Sequence, residues 1–266
     1  MSEINSNQEQ NPPNRGIYES IKRLLPLSTR VFLATRRVAL INRFTQLNRT
    51  LLSSKYLRGD GIEIGALGAP LQVSSSARVK YLDRLPLAQL RKMYPEMEGQ
   101  DIPEPDIVDD GQTLGTVLDS SQDFVIANHF LEHCQNPLAA LKNIHRVLNV
   151  GGLLFLALPD KRFTFDVDRA VTSIDHVLRD FEEGPEWSQR GHYEEWVRVV
   201  DKLSDQEAET HIEELMRKET YIHFHVWTQN EMFELLATAR KKLGLSFEIE
   251  CFLKAQAECI FLLRKI

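Results

Sequence analysis

The sequence predicts an α/β fold, a doubly wound and mostly parallel sheet of seven strands. Three observations carry that expectation. Short apolar runs alternate with amphipathic stretches from residue 60 onward, the pattern of strands joined by crossover helices. One run, "DFVIANHF" (123–130), opens on an uninterrupted apolar core, as expected of a strand covered on both faces. A glycine-bearing turn, "EIGALGAP" (63–70), closes the first run, and an acid, Asp83, closes the second. Ligands of open parallel sheets bind beyond such strand ends.

Each element has a local reason. "GIEIG" is the first strand, and "VKYLDR" (79–84) the second, followed by a helix over "LAQLRKMY". "DIVDD" (106–110) is the third strand and 123–130 the fourth. Asn136-Pro137 opens a helix as N-cap and first helical residue, with Leu138, Leu141, Ile144 and Leu148 on its apolar face. That helix is expected to stop at Gly151-Gly152, and "LLFLALP" is the fifth strand. Residues 160–227 form a long polar and aromatic insertion holding all three tryptophans; connections of this length often cap a binding site. Thr228 and Glu231 form a capping box for a helix to about residue 243. "SFEIECFL" and "AECIFLLRK" then close the sheet.

The chain has 266 residues, so one domain of roughly 200 residues plus an appendage is expected. Residues 1–16 read as a disordered tail and 17–57 as a basic helical arm. Residues 58–266 read as the main domain, with 160–227 as its cap. Residues 15–58 carry ten basic side chains and one acid, a net +9, whereas 59–266 carry 22 basic and 35 acidic, a net −13. An acidic main domain argues against general nucleic-acid binding. The arm reads as packed on that domain, with peripheral membrane contact through 17–57 as the sharper alternative. No apolar run reaches the ~20 residues of a membrane span, and no signal peptide is evident. Cys134, Cys251 and Cys259 form no CxxC pair, which suggests a reducing, cytoplasmic setting with neither disulfide nor structural zinc.

Asp83, twenty residues after Glu63, is placed to accept hydrogen bonds from the two hydroxyls of a ribose. A diphosphate would favour a turn leading into a strong helix N-terminus, but "PLQVSSSARV" is a poor helix, which weakens a nicotinamide dehydrogenase reading. A cofactor with positive charge and no phosphate fits better. Here the chain resembles the class I S-adenosylmethionine-dependent methyltransferases, in the small-molecule branch with an "LEH" signature. "EIGALG", "YLDR", "DDGQTL" and the stretch from "SSQDFVIANHFLEH" to "LLFLALPD" are similar to that family's successive motifs, covering about residues 58–160. The loss of one glycine from the first motif, and Pro70 after it, are the departures.

The resemblance implies a Rossmann-like fold and S-adenosyl-L-methionine as cofactor. It implies Asp83, followed by Arg84, on the ribose, and Asp110 with Gly111 at the adenine. Gly65 and Ala66 would offer backbone to the methionine moiety, with Glu63 beneath, orienting backbone donors or accepting from the amino group, and Asn128 and His129 would lie at the fourth strand's end. Methyl transfer to a hydroxyl needs a proton acceptor, and histidine suits neutral pH. The candidates are His129, at that strand end, and His176, His192 and His225 in or beside the insertion. His133 reads as a local hydrogen-bonding residue. His223 and His225 share an HxH spacing that permits two metal ligands, but no third is evident and no metal is expected. Arg162, Asp166, Asp168, Arg169 and the tryptophans suggest a wall for a hydroxylated substrate. The expected activity is methylation of a small-molecule hydroxyl, on a sugar or glycan precursor. The alternative is an inactive cofactor-binding scaffold docking through its basic arm. Oligomeric state is not legible.

Overall fold

A computed structural model describes residues 44–266; the expected tail and residues 17–43 of the arm lie outside the described residues. Leu47–Ile266 form one compact unit. Residues 44–56 are helical (α1). Then come β1 (Gly59–Ile64), β2 (Ala77–Asp83), α2 (Leu87–Met93), β3 (Ile107–Val108) and β4 (Gln122–Asn128). These are followed by α3 (Pro137–Val147) and β5 (Leu148–Pro159). The insertion holds α4 (Ile174–Glu183), α5 (Glu186–Glu195) and α6 (Asp205–Arg217). The chain closes with α7 (Gln229–Leu243), β6 (Phe247–Ala255) and β7 (Glu258–Lys265).

The seven strands lie in the order β3-β2-β1-β4-β5-β7-β6. β1 through β5 pair in parallel, and β7 runs antiparallel to both β5 and β6. Both sheet faces are covered, and period-two alternation divides the side chains between them. Val125 and Ala127 join Leu154, Leu156 and Leu158 in one core, while Phe124 and Ile126 join Leu153, Phe155 and Ala157 in the other. β1 lies between β2 and β4, so the connections turn opposite ways there and leave a crevice beyond the β1 and β4 ends.

Two boundaries differ from expectation. The third strand contracts to Ile107–Val108 because Asp109 and Asp110 fold the chain into a turn: their carboxylates accept from the backbone N–H groups of Asp110, Thr116 and Gln112 at 2.7, 2.7 and 2.9 Å. α3 ends at Val147, and Gly151-Gly152 lie inside β5. There the pairing with β4 slips between Gln122 and Phe124, and Gly151 takes φ +82°. The glycines therefore serve a bulge, not a helix cap. Asn136 caps α3 through Ala139 N–H at 3.0 Å, and the Thr228–Glu231 box caps α7. Among the described residues, no helix is long and apolar enough to cross a membrane.

The insertion is predominantly helical. It has its own small core of Tyr193, Val197, Ala208, Ile212, Leu215, Ile222 and Phe224. Residues 47–57, assigned from charge to the arm, belong with the main unit: Leu57 is fully buried beside Phe124 and Phe155.

Candidate active site

At the β1 and β4 ends lies a cavity of about 220 Å³, walled by Ile64, Gly65, Leu67, Leu82, Asp83, Arg84, Asp110, Gly111 and His129, among others. Asp83 ends β2, where burial raises its carboxyl against the opposing N–H groups of Arg84 and Leu85. Asp110 uses one oxygen on Gln112 N–H and is exposed on the other side of the opening. Gly65 takes φ +63°, and a side chain on Gly111 would come within 2.5 Å of Ile64 Cγ2. Both glycines keep the backbone open to a ligand. No helix follows the turn, so no helix N-terminus stands there for a phosphate.

Glu63 and Ala66 stand apart from this lining. Glu63 is buried beneath the turn, accepting Leu71 N–H on both oxygens at 3.0 and 3.1 Å. Burial pushes its carboxyl up to about 7, against that hydrogen bond and the charge of Arg49. The carbonyl of Ala66 accepts from Ala69 N–H within the turn. Asn128 does not line the cavity either, and neither atom of its buried amide is paired among the described residues.

His129 adopts φ +50° and stands between two carboxylates, with Nε2 2.9 Å from Glu258 and Nδ1 3.6 Å from Glu132. Both ring nitrogens thus face acids, and Arg49 braces Glu258 from α1 at 3.0 Å. His133 also lines this cavity. Its Nδ1–H donates to the Ile222 carbonyl at 2.9 Å, which fixes the tautomer and leaves Nε2 without a protein partner among the described residues. Burial holds its imidazole below the ordinary histidine range, favouring the neutral form.

His133, Arg84, Asp110, Gln112 and Tyr221 also border a second cavity of about 420 Å³, which the cap completes with Gln189, Glu219 and Phe224. The Arg84 guanidinium lies 3.9 Å from the Tyr221 ring centre, a cation–π contact that joins the two walls. His176, His192 and His225, expected near the reaction, line neither cavity; they face one another inside the cap. His223 and His225 part company: His223 binds Asp166 at 2.7 Å, while His225 joins the other cluster. None of the residues expected to form a substrate wall lines either cavity. Asp166 and Arg169 pair with each other in the cap interior, and Trp227 is buried, stacked on His225. Sequence reasoning passed over Tyr221, Glu258 and Glu132. Only the "LEH" position, just past a buried strand, was a signal for Glu132.

Residues 85–239, more than half of the chain, match the family described as a methyltransferase domain. The chain belongs to that family. It is a class I S-adenosylmethionine-dependent methyltransferase, with S-adenosylmethionine as cofactor. The match begins just beyond Asp83-Arg84, so the first turn lies outside it. No curated protein matches the methyltransferase sequence. Among solved structures it is similar to an S-adenosylmethionine-dependent methyltransferase from Thermotoga maritima, described as a possible histamine N-methyltransferase. That likeness has 17% identity and a TM-score of 0.45, and covers 89% of this chain and 97% of the other. A second similar structure is an S-adenosylmethionine-dependent methyltransferase from Methanosarcina mazei, with 18% identity and a TM-score of 0.43, covering 80% and 95%. The cleft fits the cofactor on its own terms: two carboxylates for hydroxyl and amino groups, a glycine-lined wall, and no phosphate-binding helix end.

Proposed function

We propose that this methyltransferase methylates a hydroxyl oxygen of a small, polar acceptor, with His133 as proton acceptor. The observation that carries the reading is the position of His133 at the junction of the two cavities, its tautomer set by the Ile222 carbonyl. Bound S-adenosylmethionine supplies an electrophilic methyl on a sulfonium. Asp83 accepts from the ribose hydroxyls, Asp110 from the adenine amino group, and Gly65 offers backbone to the methionine part. Glu63 fixes the turn from below, and His129, held by Glu132 and Glu258, shapes the crevice between them. Gln112, Gln135 and Gln189 surround the second cavity with amides suited to a hydroxylated acceptor such as a sugar.

An in-line displacement needs the acceptor oxygen held at near-attack distance with water excluded. Tyr221 and Arg84 supply the cover, and His133 takes the proton that the oxygen loses. The test is formation of S-adenosylhomocysteine with a panel of hydroxylated and amine acceptors. His133→Gln is expected to lower kcat by at least about 100-fold while leaving cofactor affinity unchanged. Asp83→Asn is expected to weaken cofactor binding in calorimetry by about 1–3 kcal/mol. Firm cofactor binding without turnover on any acceptor would favour the scaffold instead. An active His133→Gln enzyme would remove the proton-acceptor assignment.

A further inference from the structure

Four side chains outside both cavities gather inside the cap. His176 and Asp180 stand one turn apart on α4, His192 comes from α5, and His225 from the extended return before α7. His176 Nε2 is 3.1 Å from His192 Nε2 and 3.3 Å from Asp180 Oδ2; His225 Nε2 is 3.5 Å from that same oxygen and 3.3 Å from the Gln135 carbonyl, a contact that metal binding would replace. One ligand atom from each of the four lies within 4.8 Å of the rest. Asp180 and His225 are fully buried, and His192 nearly so.

Asp180 carries the argument. Its Oδ1 accepts from Ser188 Oγ at 2.8 Å, but Oδ2, buried and aimed among the histidines, has no hydrogen-bond partner among the described residues. A buried carboxylate oxygen left that way costs several kcal/mol unless a cation meets it. We propose that His176, Asp180, His192 and His225 hold one divalent first-row transition ion, zinc by preference, as a structural centre of the cap. With metal–ligand bonds of about 2.0–2.1 Å, a tetrahedron has edges of about 3.3 Å; three separations, 3.1, 3.3 and 3.5 Å, lie close to that, and the rest fall within 4.8 Å.

Three nitrogens and one carboxylate suit zinc, whereas magnesium and calcium require oxygen-rich shells. Four protein ligands leave no position open for substrate, so the ion is structural. Supporting bonds are in place: Ser188 orients the Asp180 carboxylate, and Asn136 Nδ2 donates to the Asp180 carbonyl at 2.8 Å. Without a metal, the groups nearest Asp180 Oδ2 are His176 Nε2 at 3.3 Å and His225 Nε2 at 3.5 Å, neither in hydrogen-bond geometry. The ion would tie α4 and α5 to the return segment that carries Tyr221 and Phe224 to the second cavity.

The full chain, purified without chelator, is expected to carry about one zinc per molecule by elemental analysis. Replacement by cobalt should give the intense visible absorption of a tetrahedral site, and phenanthroline should lower Tm. Asp180→Asn and the partly exposed His176→Gln should each reduce metal content at least tenfold. Wild-type protein that holds no zinc, gives no cobalt band and shows no Tm change with added zinc would overturn the proposal. So would folded variants retaining wild-type metal content. Metal content is read independently of cofactor binding and turnover, so neither outcome bears on the methyl-transfer reading.

Discussion

Glu63 shows how one side chain sets the floor of the crevice. An acid in the first motif could orient backbone donors from beneath or accept from the cofactor's amino group; both its oxygens turn to Leu71 N–H beneath the turn. Its folded value, about 7, lies above the ordinary 4.5 because burial outweighs the hydrogen bond and Arg49. A group raised in this way contributes stability below 4.5 and loses it as pH rises through about 7. Glu63→Gln should therefore be relatively more stable than wild type at pH 8 than at pH 5, by at most ~3 kcal/mol. Thermal denaturation at the two pH values checks this, and an equal shift at both would refute the cause assigned. His133 makes the complementary point. Its place after β4 was readable, but its tautomer depends on Ile222, 89 residues away, which reaches it only through the cap.

At the scale of elements, the cap is built on buried charge as well as on its small apolar core. The Arg169 side chain is fully buried, meeting Asp166 at 2.9 Å and Glu195 at 2.8 Å, and donating to the His223 carbonyl at 2.7 Å. Burial alone would raise the Asp166 carboxyl, but His223 and Arg169 hold it below its ordinary value. Removing one partner leaves a buried charge uncompensated, so Arg169→Met should cost about 3–5 kcal/mol in chemical denaturation. Asp166→Leu added to it should cost less than it does in the wild-type background, because the two side chains share one ion pair. Full additivity in the double variant would mean that the arginine acts by packing alone. The residues were visible in the sequence as polar groups beside tryptophans, and a substrate wall was the natural reading. Nothing local in them says that they face inward.

Across the whole molecule, Glu258 at the start of β7 joins Arg49 of α1 to His129 at the end of β4. Residues 209 and 129 positions apart thus meet on one buried carboxylate. Burial would raise Glu258, but its bonds to His129 and Arg49 hold it below 4.5. That stability is present above 4.5 and disappears as pH falls through the lower folded value. Glu258→Gln is expected to cost about 3–5 kcal/mol near neutral pH, with the two proteins converging in Tm at acid pH. Parallel Tm curves down to acid pH would show that the carboxylate's charge is not the cause.

Periodicity and turn chemistry alone determined the doubly wound sheet, the α3 and α7 caps, and the pair of aspartates at neighbouring strand ends. These features depend on backbone preference and on burial that repeats every two or 3.6 residues, both written locally along the chain. Tertiary structure alone decided which histidines face the crevice and which face one another, where the buried acids find their partners, and that a strand-end glycine pair shapes a bulge. A side chain's charge, tautomer and ligands depend on neighbours brought from distant segments, and a hydrophobicity pattern does not encode those meetings.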